Sequence, residues 1–507
     1  MKQVAQFDVV VVGGGGAGLA AGLEASRRGA NVMLLEKSEF LGGTTGISVG
    51  SFTAAGTLLQ KAARIEDKPE WHNEDMRTFA GDRETMNDWE RRDWFAQRAG
   101  ETLDWLRDLG LEFHGPTPEP PNRVPRMHNV VPNAKIYVAV LHRELLRHGV
   151  SVQVQSRVQR LLRNDTGTVV GVEYDKPDGT LHRLEASSGV VLATGDYTNG
   201  GLIKNEFLPR EVASIEGINP YATGDGHRMA REVGATLVNM NLIYGPELRF
   251  VAPPRPPFAQ LLPGNPVLAR LLALGLRWVP KFVFQRMIKG LLVTWQHPER
   301  TLFDHGAILV NVHGNRFCNE TDQPELSIPL QERKIGYILL DQTLAHRFSA
   351  WPYYISTAPD IAYAYLPDYQ RLRPDLCTKA KSLADLARRI KIPSESLVQT
   401  VRAYNDAVAG GRGDSFGRKT LGCRLSAAPF HALGPVKSMI VNADGGLCVN
   451  TRMEVLDPSG NAIPGLYAAG SVGIGGLVLW GHGLHIAWAF TSGREAGRRA
   501  ALRRREP

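Results

Sequence analysis

The chain has 507 residues, enough for two to four domains at roughly 150 residues each and for a large buried core. Hydrophobic residues make up 43% and charged residues 22%, which excludes a wholly disordered chain, a collagen and a coiled coil. Lysine and arginine outnumber aspartate and glutamate by 59 to 51, and a net charge of +8 over this length points to no particular partner. The cysteines Cys318, Cys377, Cys423 and Cys448 show no CxxC spacing, so no metal site, iron–sulfur cluster or disulfide framework is expected. The opening MKQVAQFDVVVV runs straight into a strand pattern, so no signal peptide is expected. No apolar stretch reaches the ~20 residues of a membrane span, and the expected location is cytoplasmic.

Phe7 to Val12 read as a buried parallel strand. Gly13-Gly14-Gly15-Gly16-Ala17-Gly18 fits GxGxxG at Gly13, Gly15 and Gly18, a helical pattern follows, and a second strand from Asn31 to Leu35 ends in Glu36. Gly13 permits the tight turn, Gly15 lets the backbone approach a pyrophosphate, and Gly18 lets helix and strand pack closely. The helix start offers free N–H groups to phosphates. Glu36, 18 residues after Gly18, is placed to accept from a ribose diol. Lys37 to Gly46 then bring Gly42, Gly43, Thr44 and Thr45, a second loop that wraps over the pyrophosphate and reaches an isoalloxazine. NAD enzymes do not need it, so the expected cofactor is FAD.

Further along, a helix from Ile136 to Arg147 leads to a strand from Ser151 to Val158. A strand from Ser187 ends in Ala193-Thr194-Gly195, and Thr223-Gly224-Asp225-Gly226 opens a helix. Near the end stand Asp444-Gly445-Gly446, Gly465-Leu466-Tyr467-Ala468-Ala469-Gly470, and a last helix after Trp480-Gly481-His482-Gly483. With the stretch from Asn311 through Arg316-Phe317-Cys318-Asn319-Glu320, these motifs resemble, in order and over nearly the whole chain, the fumarate reductase/3-ketosteroid dehydrogenase flavoprotein family. The resemblance implies an α/β fold. A Rossmann-like FAD-binding domain, a parallel sheet with helices on its faces, would take residues 1–240 and 426–507, and an inserted α+β cap 241–425. Family FAD contacts carry over onto the Gly13–Gly18 loop with Ala17, Glu36, Lys37, Gly42 to Thr45, Gly50 and Ser51. They continue at Val158, Ala193, Thr194, Gly195, Asp225, Gly470, Ser471, Leu484 and His485. Ser471 stands where the fumarate branch has a glutamate. The loop from Gly42 to Phe52 holds no histidine, so the FAD is expected to be non-covalent.

A dicarboxylate site needs cations to clamp two carboxylates. The arginine after the Asn319-Glu320 block is absent, Tyr244-Gly245-Pro246 replaces His-Pro, and Trp480 replaces an arginine. With Leu477, Val478 and Leu479, Trp480 suggests an apolar pocket floor. The resemblance therefore leans to the ketosteroid or cyclic-ketone dehydrogenase branch, although its Tyr-Pro-Gly signature is absent too. The expected reaction is α,β-desaturation of a cyclic ketone, steroid-like or smaller, by α-proton abstraction and hydride transfer to flavin N5. Its rivals are an ene-reductase fed by a partner and an electron-transfer subunit at a membrane. Acid–base candidates are His482, Tyr244, Tyr353 and Tyr354. The electron acceptor stays open among oxygen, quinone and a redox protein.

Residues 251–296 contain no Asp or Glu but carry Arg255, Arg270, Arg277, Lys281, Arg286 and Lys289 among apolar residues. Such a segment is either a lid over an apolar substrate or a contact with an anionic membrane surface. The arginines from Arg498 onward read as a solvated helix end. No aromatic interleaving marks a nucleic-acid site.

Overall fold

The structure is a computed structural model that describes residues 5–254, 262, 264–276, 289–290, 293, 297–358, 362–410 and 414–503. In the strand Ala5–Val12, Val9 to Val12 are buried, as a central parallel strand requires. It lies between Val32–Leu35 and Leu181–Leu192, parallel to both, with Val10 opposite Met33 on one side and Val190 on the other. Ser151–Gln153 extends the first side. Ala462–Ala468 pairs in parallel with Leu181–Leu192, so a late segment completes a sheet begun at Ala5. Arg157–Arg163, Val169–Asp175 and Leu181–Leu192 form an antiparallel meander, and Glu454–Leu456 is the far edge.

The single strand expected from Ser151 to Val158 is thus two. Gln155 takes a left-handed φ of 52°, and its N–H and that of Ser156 donate to Ser38 and Glu36 carbonyls rather than to a ladder. This turn aims Ser156, Arg157 and Val158 at the site described below.

The helix Gly16–Ser26 is buried along its whole length. The C-terminal helix Leu484–Leu502 lies against it, and the approach is set by Gly493 and Gly497. A Cβ at either glycine would overlap the carbonyl of Ala17 or Ala21. Gly497→Val should therefore lower unfolding stability by about 3 kcal/mol, an overpacking cost without relief because the obstacle is backbone. The urea midpoint checks this; an unchanged midpoint would mean the helices part freely.

A second sheet is built around Phe430–Ile440. Glu247–Phe250, Gly336–Leu340 and Cys377–Ala380 pair antiparallel with it, Glu216–Gly217 in parallel, and Ile308–Val310 joins Gly336–Leu340. One hydrophobic core draws on residues from Val9 to Ala235 and from Leu447 to Ala501, with Ala269; a second draws on Leu248 to Val436. In the second unit the fully buried Glu320 accepts from Arg316 at 2.7 Å through both its oxygens, from Arg418 at 3.2 Å and from the Leu309 N–H. The Arg316–Glu320 motif is an internal ion cluster that ties three segments together.

Of the basic insert, Arg255, Arg277, Lys281 and Arg286 lie outside the described residues. The helix Pro266–Leu276 packs on Glu112–Thr117 and exposes Val267, Leu271 and Leu274, while Lys289 pairs with Asp368 at 3.0 Å. No helix among the described residues is long and apolar enough to cross a membrane. Arg504 and Arg505 lie outside the described residues, and the described arginines before them are not simply solvated. Arg498 and Arg499 pair with Glu495, and Arg503 donates to the Ser188 carbonyl.

Candidate active site

A cleft opens at the carboxyl ends of the parallel strands, where open α/β sheets hold dinucleotides. Gly13, Gly15, Ala17, Glu36, Lys37, Gly43, Thr44, Thr45, Val158, Ala193, Thr194, Gly195, Asp225, Gly470 and Ser471 line it. Gly18 stands behind the wall, where a Cβ would overlap the Gly13 carbonyl. Gly42 is also behind, its N–H donating to the Gly14 carbonyl at 2.9 Å. Four expected contacts are not brought to this cleft. Gly50 packs on Val130 and Ala134, Ser51 donates to Asn129 at 2.7 Å, Leu484 is in the core, and His485 pairs with Asp444. Sequence reasoning missed Arg157, Asn219, Tyr221 and Ala489 in the lining. Asn219, which donates to Thr44 Oγ1 at 2.9 Å, and Tyr221 just precede the Thr223–Gly226 motif, the one available signal for them.

Glu36 is fixed before any ligand arrives. Its Oε2 accepts from the Gly14 N–H at 2.7 Å and its Oε1 from the Ser38 N–H at 2.8 Å. Lys37 Nζ donates at 2.6 Å to both Asp225 and Thr223, and Arg157 donates to Asp225 at 2.9 Å. Burial opposes ionisation of Asp225, but the Lys37 and then the Arg157 bonds and charges outweigh it and hold the carboxyl below its usual range. The lining glycines keep the space open. A Cβ at Gly195 would meet nothing within 4 Å, and one at Gly15 only the Gly42 carbonyl at 3.9 Å. Backbone N–H groups, an acid at one end and room along the glycines fit a dinucleotide such as FAD.

A second region lies where the strand Glu247–Phe250 and its approach face the start of the C-terminal helix. His482 stands just before that helix, with its carbonyl held by Thr53 Oγ1 at 2.6 Å. Glu119 Oε1 accepts from the His482 N–H at 2.8 Å and from ring Nδ1 at 2.6 Å. The ring is 67% exposed and Glu119 only 9%. The hydrogen bond that the ring donates to Glu119 raises the imidazole pKa. Tyr244 lies with its ring 5.8 Å from Trp480, and its hydroxyl makes no hydrogen bond among the described residues. Burial, then the Glu247 charge, raises its phenol. Trp480 Nε1 is buried without a hydrogen-bond partner among the described residues. Arg249 is paired with Glu247 at 2.9 Å, and His297 Nδ1 lies 3.9 Å from the same carboxylate. The structure thus brings Tyr244, Trp480 and His482 together.

It does not bring Tyr353 and Tyr354 there. Tyr353 packs its ring on His305 at 4.8 Å and on Phe348, and Tyr354 on Trp351 and Tyr363, in an aromatic cluster of the second unit. Leu477 and Leu479 belong to the first core, and Val478 packs with Ala80 and Leu242, so they are not a pocket floor. A further group went unnoticed in the sequence. His485 Nε2 lies 2.9 Å from Asp444 and contacts the Asn442 amide, and Asn442 is opposite Tyr244 on a short antiparallel ribbon.

Fold and cleft define a dinucleotide-dependent oxidoreductase with an inserted second unit. The chain belongs to the FAD binding domain family, whose model matches residues 8–248 and 269–481, and it is an FAD-dependent oxidoreductase acting on carbon–carbon bonds. It is 29% identical to the probable fumarate reductase Ifc3 of Shewanella frigidimarina, over 97% of this chain and 74% of that protein. It is 26% identical to the vinyl phenol reductase of Lactiplantibacillus plantarum, over 98% of this chain and 96% of that protein. The solved open form of a flavocytochrome c3 fumarate reductase superposes with a TM-score of 0.73 at 27% identity, over 98% of this chain and 78% of that one.

Proposed function

We propose that the protein reduces an activated carbon–carbon double bond in an uncharged, apolar substrate, such as an unsaturated cyclic ketone. The observation that carries this reading is the charge of the mouth. By the family resemblance Trp480 stands where the fumarate branch has an arginine, His482 is bonded to Glu119, and Arg249 is paired with Glu247. Each cation there is already matched by a carboxylate, so a dianion would find no spare positive charge to clamp it. Desaturation of a cyclic ketone, which the sequence alone favours, is the same chemistry reversed. The reductive direction is supported by relatives that are named reductases, among them one for a vinyl phenol.

Gly13–Ala17, Glu36, Lys37, Thr44, Thr45 and Ala193–Gly195 would hold FAD without a covalent bond, and the bound cofactor would supply hydride chemistry to the alkene. His482, kept protonated by Glu119 on Nδ1, donates from its free Nε2 to the neighbouring carbon. The unbonded Tyr244 hydroxyl donates to the carbonyl that activates the bond. Trp480 provides an apolar surface and excludes water.

The test mixes anaerobically reduced enzyme with 2-cyclohexenone, a 3-oxo-4-ene steroid, 4-vinylphenol and fumarate, and follows return of the oxidised flavin band. At least one neutral alkene should react about a hundredfold faster than fumarate, the value of one missing charge-assisted pair. Fastest reoxidation by fumarate would overturn the reading. Bleaching of the oxidised enzyme by saturated ketones, without reoxidation by enones, would turn it to desaturation.

A further inference from the structure

A second pocket, of about 290 Å³, lies between three helices: Gly16–Ser26 with the turn after it, Trp89–Asp108, and the C-terminal helix Leu484–Leu502. It shares no lining residue with the dinucleotide cleft. Ala489 lines that cleft and Thr491 lines this pocket, and residues two apart face nearly opposite sides of a helix. The lining holds four arginines, Arg28, Arg98, Arg494 and Arg498, and three glutamates, Glu24, Glu101 and Glu495, so one positive charge is in excess. The glutamates are all paired. Glu24 meets Arg28 at 2.6 Å and Arg494 at 3.4 Å, and Glu101 meets Arg494 at 3.2 Å. Glu495 meets Arg498 at 2.6 Å and, from outside the lining, Arg499 at 2.8 Å. Arg98 is left over. It makes no ion pair among the described residues, and its one hydrogen bond there goes to the Trp94 carbonyl at 3.3 Å. Its guanidinium is backed by the Trp94 ring at 4.8 Å, which leaves most of its five N–H groups unused. Trp105 backs Arg494 at the same distance of 4.8 Å. Thr491 is 3% exposed, and its Oγ1 has no hydrogen-bond partner among the described residues. A hydroxyl inside a helix can return to the carbonyl one turn back. Thr102 does so to Arg98 at 3.1 Å and Ser492 to Trp488 at 2.6 Å, but Thr491 does not.

A guanidinium edge without an anion and a buried hydroxyl without a partner, in one pocket, are both satisfied by an occupant that carries charged oxygens. We propose that this pocket binds a small organic monocarboxylate, with its carboxylate on the unused N–H groups of Arg98 and Arg494 and its body against Thr491. The single excess charge selects a monoanion over a dianion, and the planar fork of a guanidinium matches the two oxygens of a carboxylate. The volume holds several carbon atoms beyond the carboxylate. Such an occupant ties Trp89–Asp108, which carries Arg98, to the C-terminal helix, which carries Thr491 and Arg494. Because it binds the folded chain, it stabilises the fold by linkage. The inference uses neither the flavin nor the alkene, so it stands or falls apart from the function proposed above.

The test titrates the holoenzyme by calorimetry with acetate, benzoate and inorganic sulfate at fixed ionic strength. Acetate or benzoate should bind once per chain with a Kd on the order of 1 mM and raise the melting temperature, and sulfate should bind at least about tenfold more weakly. Arg98→Gln should weaken the carboxylate about tenfold, the loss of one charge-assisted pair. Thr491→Val keeps the shape of the side chain and removes the unpartnered hydroxyl. It should weaken the carboxylate about threefold or more, yet leave the ligand-free protein at least as stable as wild type, whereas a hydroxyl that only supports the fold would be missed in the melt. Tyr244→Phe, in the other region, should leave the isotherm unchanged. No saturable binding of either carboxylate up to about 20 mM would overturn the proposal. So would equal affinity in wild type, Arg98→Gln and Thr491→Val, or tighter binding of sulfate than of both carboxylates.

Discussion

Gly13→Ala should purify with little or no flavin, and added FAD should bind at least about a hundredfold more weakly than to wild type. Two costs combine at this position. Gly13 sits at φ 106°, where an L side chain is strained by about 1–3 kcal/mol. Its Cβ would also overlap the carbonyl of Ala193 at the end of the neighbouring strand. Ala193 cannot yield alone, because its N–H is bonded to the Val12 carbonyl and it stands beside Thr194 and Gly195 in the cleft wall. Relief therefore has to come from the glycine loop, the part that must present N–H groups to the pyrophosphate. Gly460→Ala is the control. Gly460 has φ 82° in a turn with nothing near its Cβ, so it carries the backbone strain without touching the cleft. Flavin absorbance per polypeptide and titration calorimetry distinguish the two. A yellow Gly13→Ala protein with wild-type affinity would mean that the loop adapts freely, and the glycine argument would fail.

The glycine loop was legible because its signal is local. Strand, turn, helix and acid fall between Phe7 and Glu36, and each needs only its neighbours in the chain to be recognised. What the sequence hid was contact across long separations. Arg157 reaches the cleft because the chain turns at Gln155, a residue with no turn signature of its own. Glu119 and His482 are 363 positions apart and meet only after the small sheet around Ser51–Thr53 has packed on the C-terminal helix. Apolar pattern also misled. Leu477 to Leu479 look like a binding surface in sequence, but a run that crosses two cores buries against the protein itself. The Tyr353-Tyr354 pair failed similarly, since aromatic residues satisfy one another first. His485 was placed on the right helix but given the wrong company, because nothing in the sequence connects it to Asp444.

Glu119→Gln should shift the pH profile of alkene reduction to lower pH, with a loss of about tenfold to a hundredfold near pH 8 and little change near pH 5.5. The sign follows from the pair. The Glu119 hydrogen bond raises the His482 pKa above its ordinary value of about 6.5, so wild type keeps the ring protonated into a range where a free imidazole has lost its proton. The contribution of the pair is fully present below about 6.5 and disappears as pH rises through the raised folded value. Glutamine can still accept from the His482 N–H, so the helix entrance stays in place while the charge that holds the proton is removed. The imidazole is largely exposed, and its effect on stability should be slight beside its effect on the profile. Tyr244→Phe provides the contrast. Its hydroxyl titrates far above this range, raised by burial, so its removal should depress the rate by a similar factor at every pH from 5 to 8 without moving the profile. An unshifted profile in Glu119→Gln would remove His482 as the donor. A shifted profile in Tyr244→Phe would instead mean that hydroxyl and imidazole exchange the proton between them before it reaches the substrate.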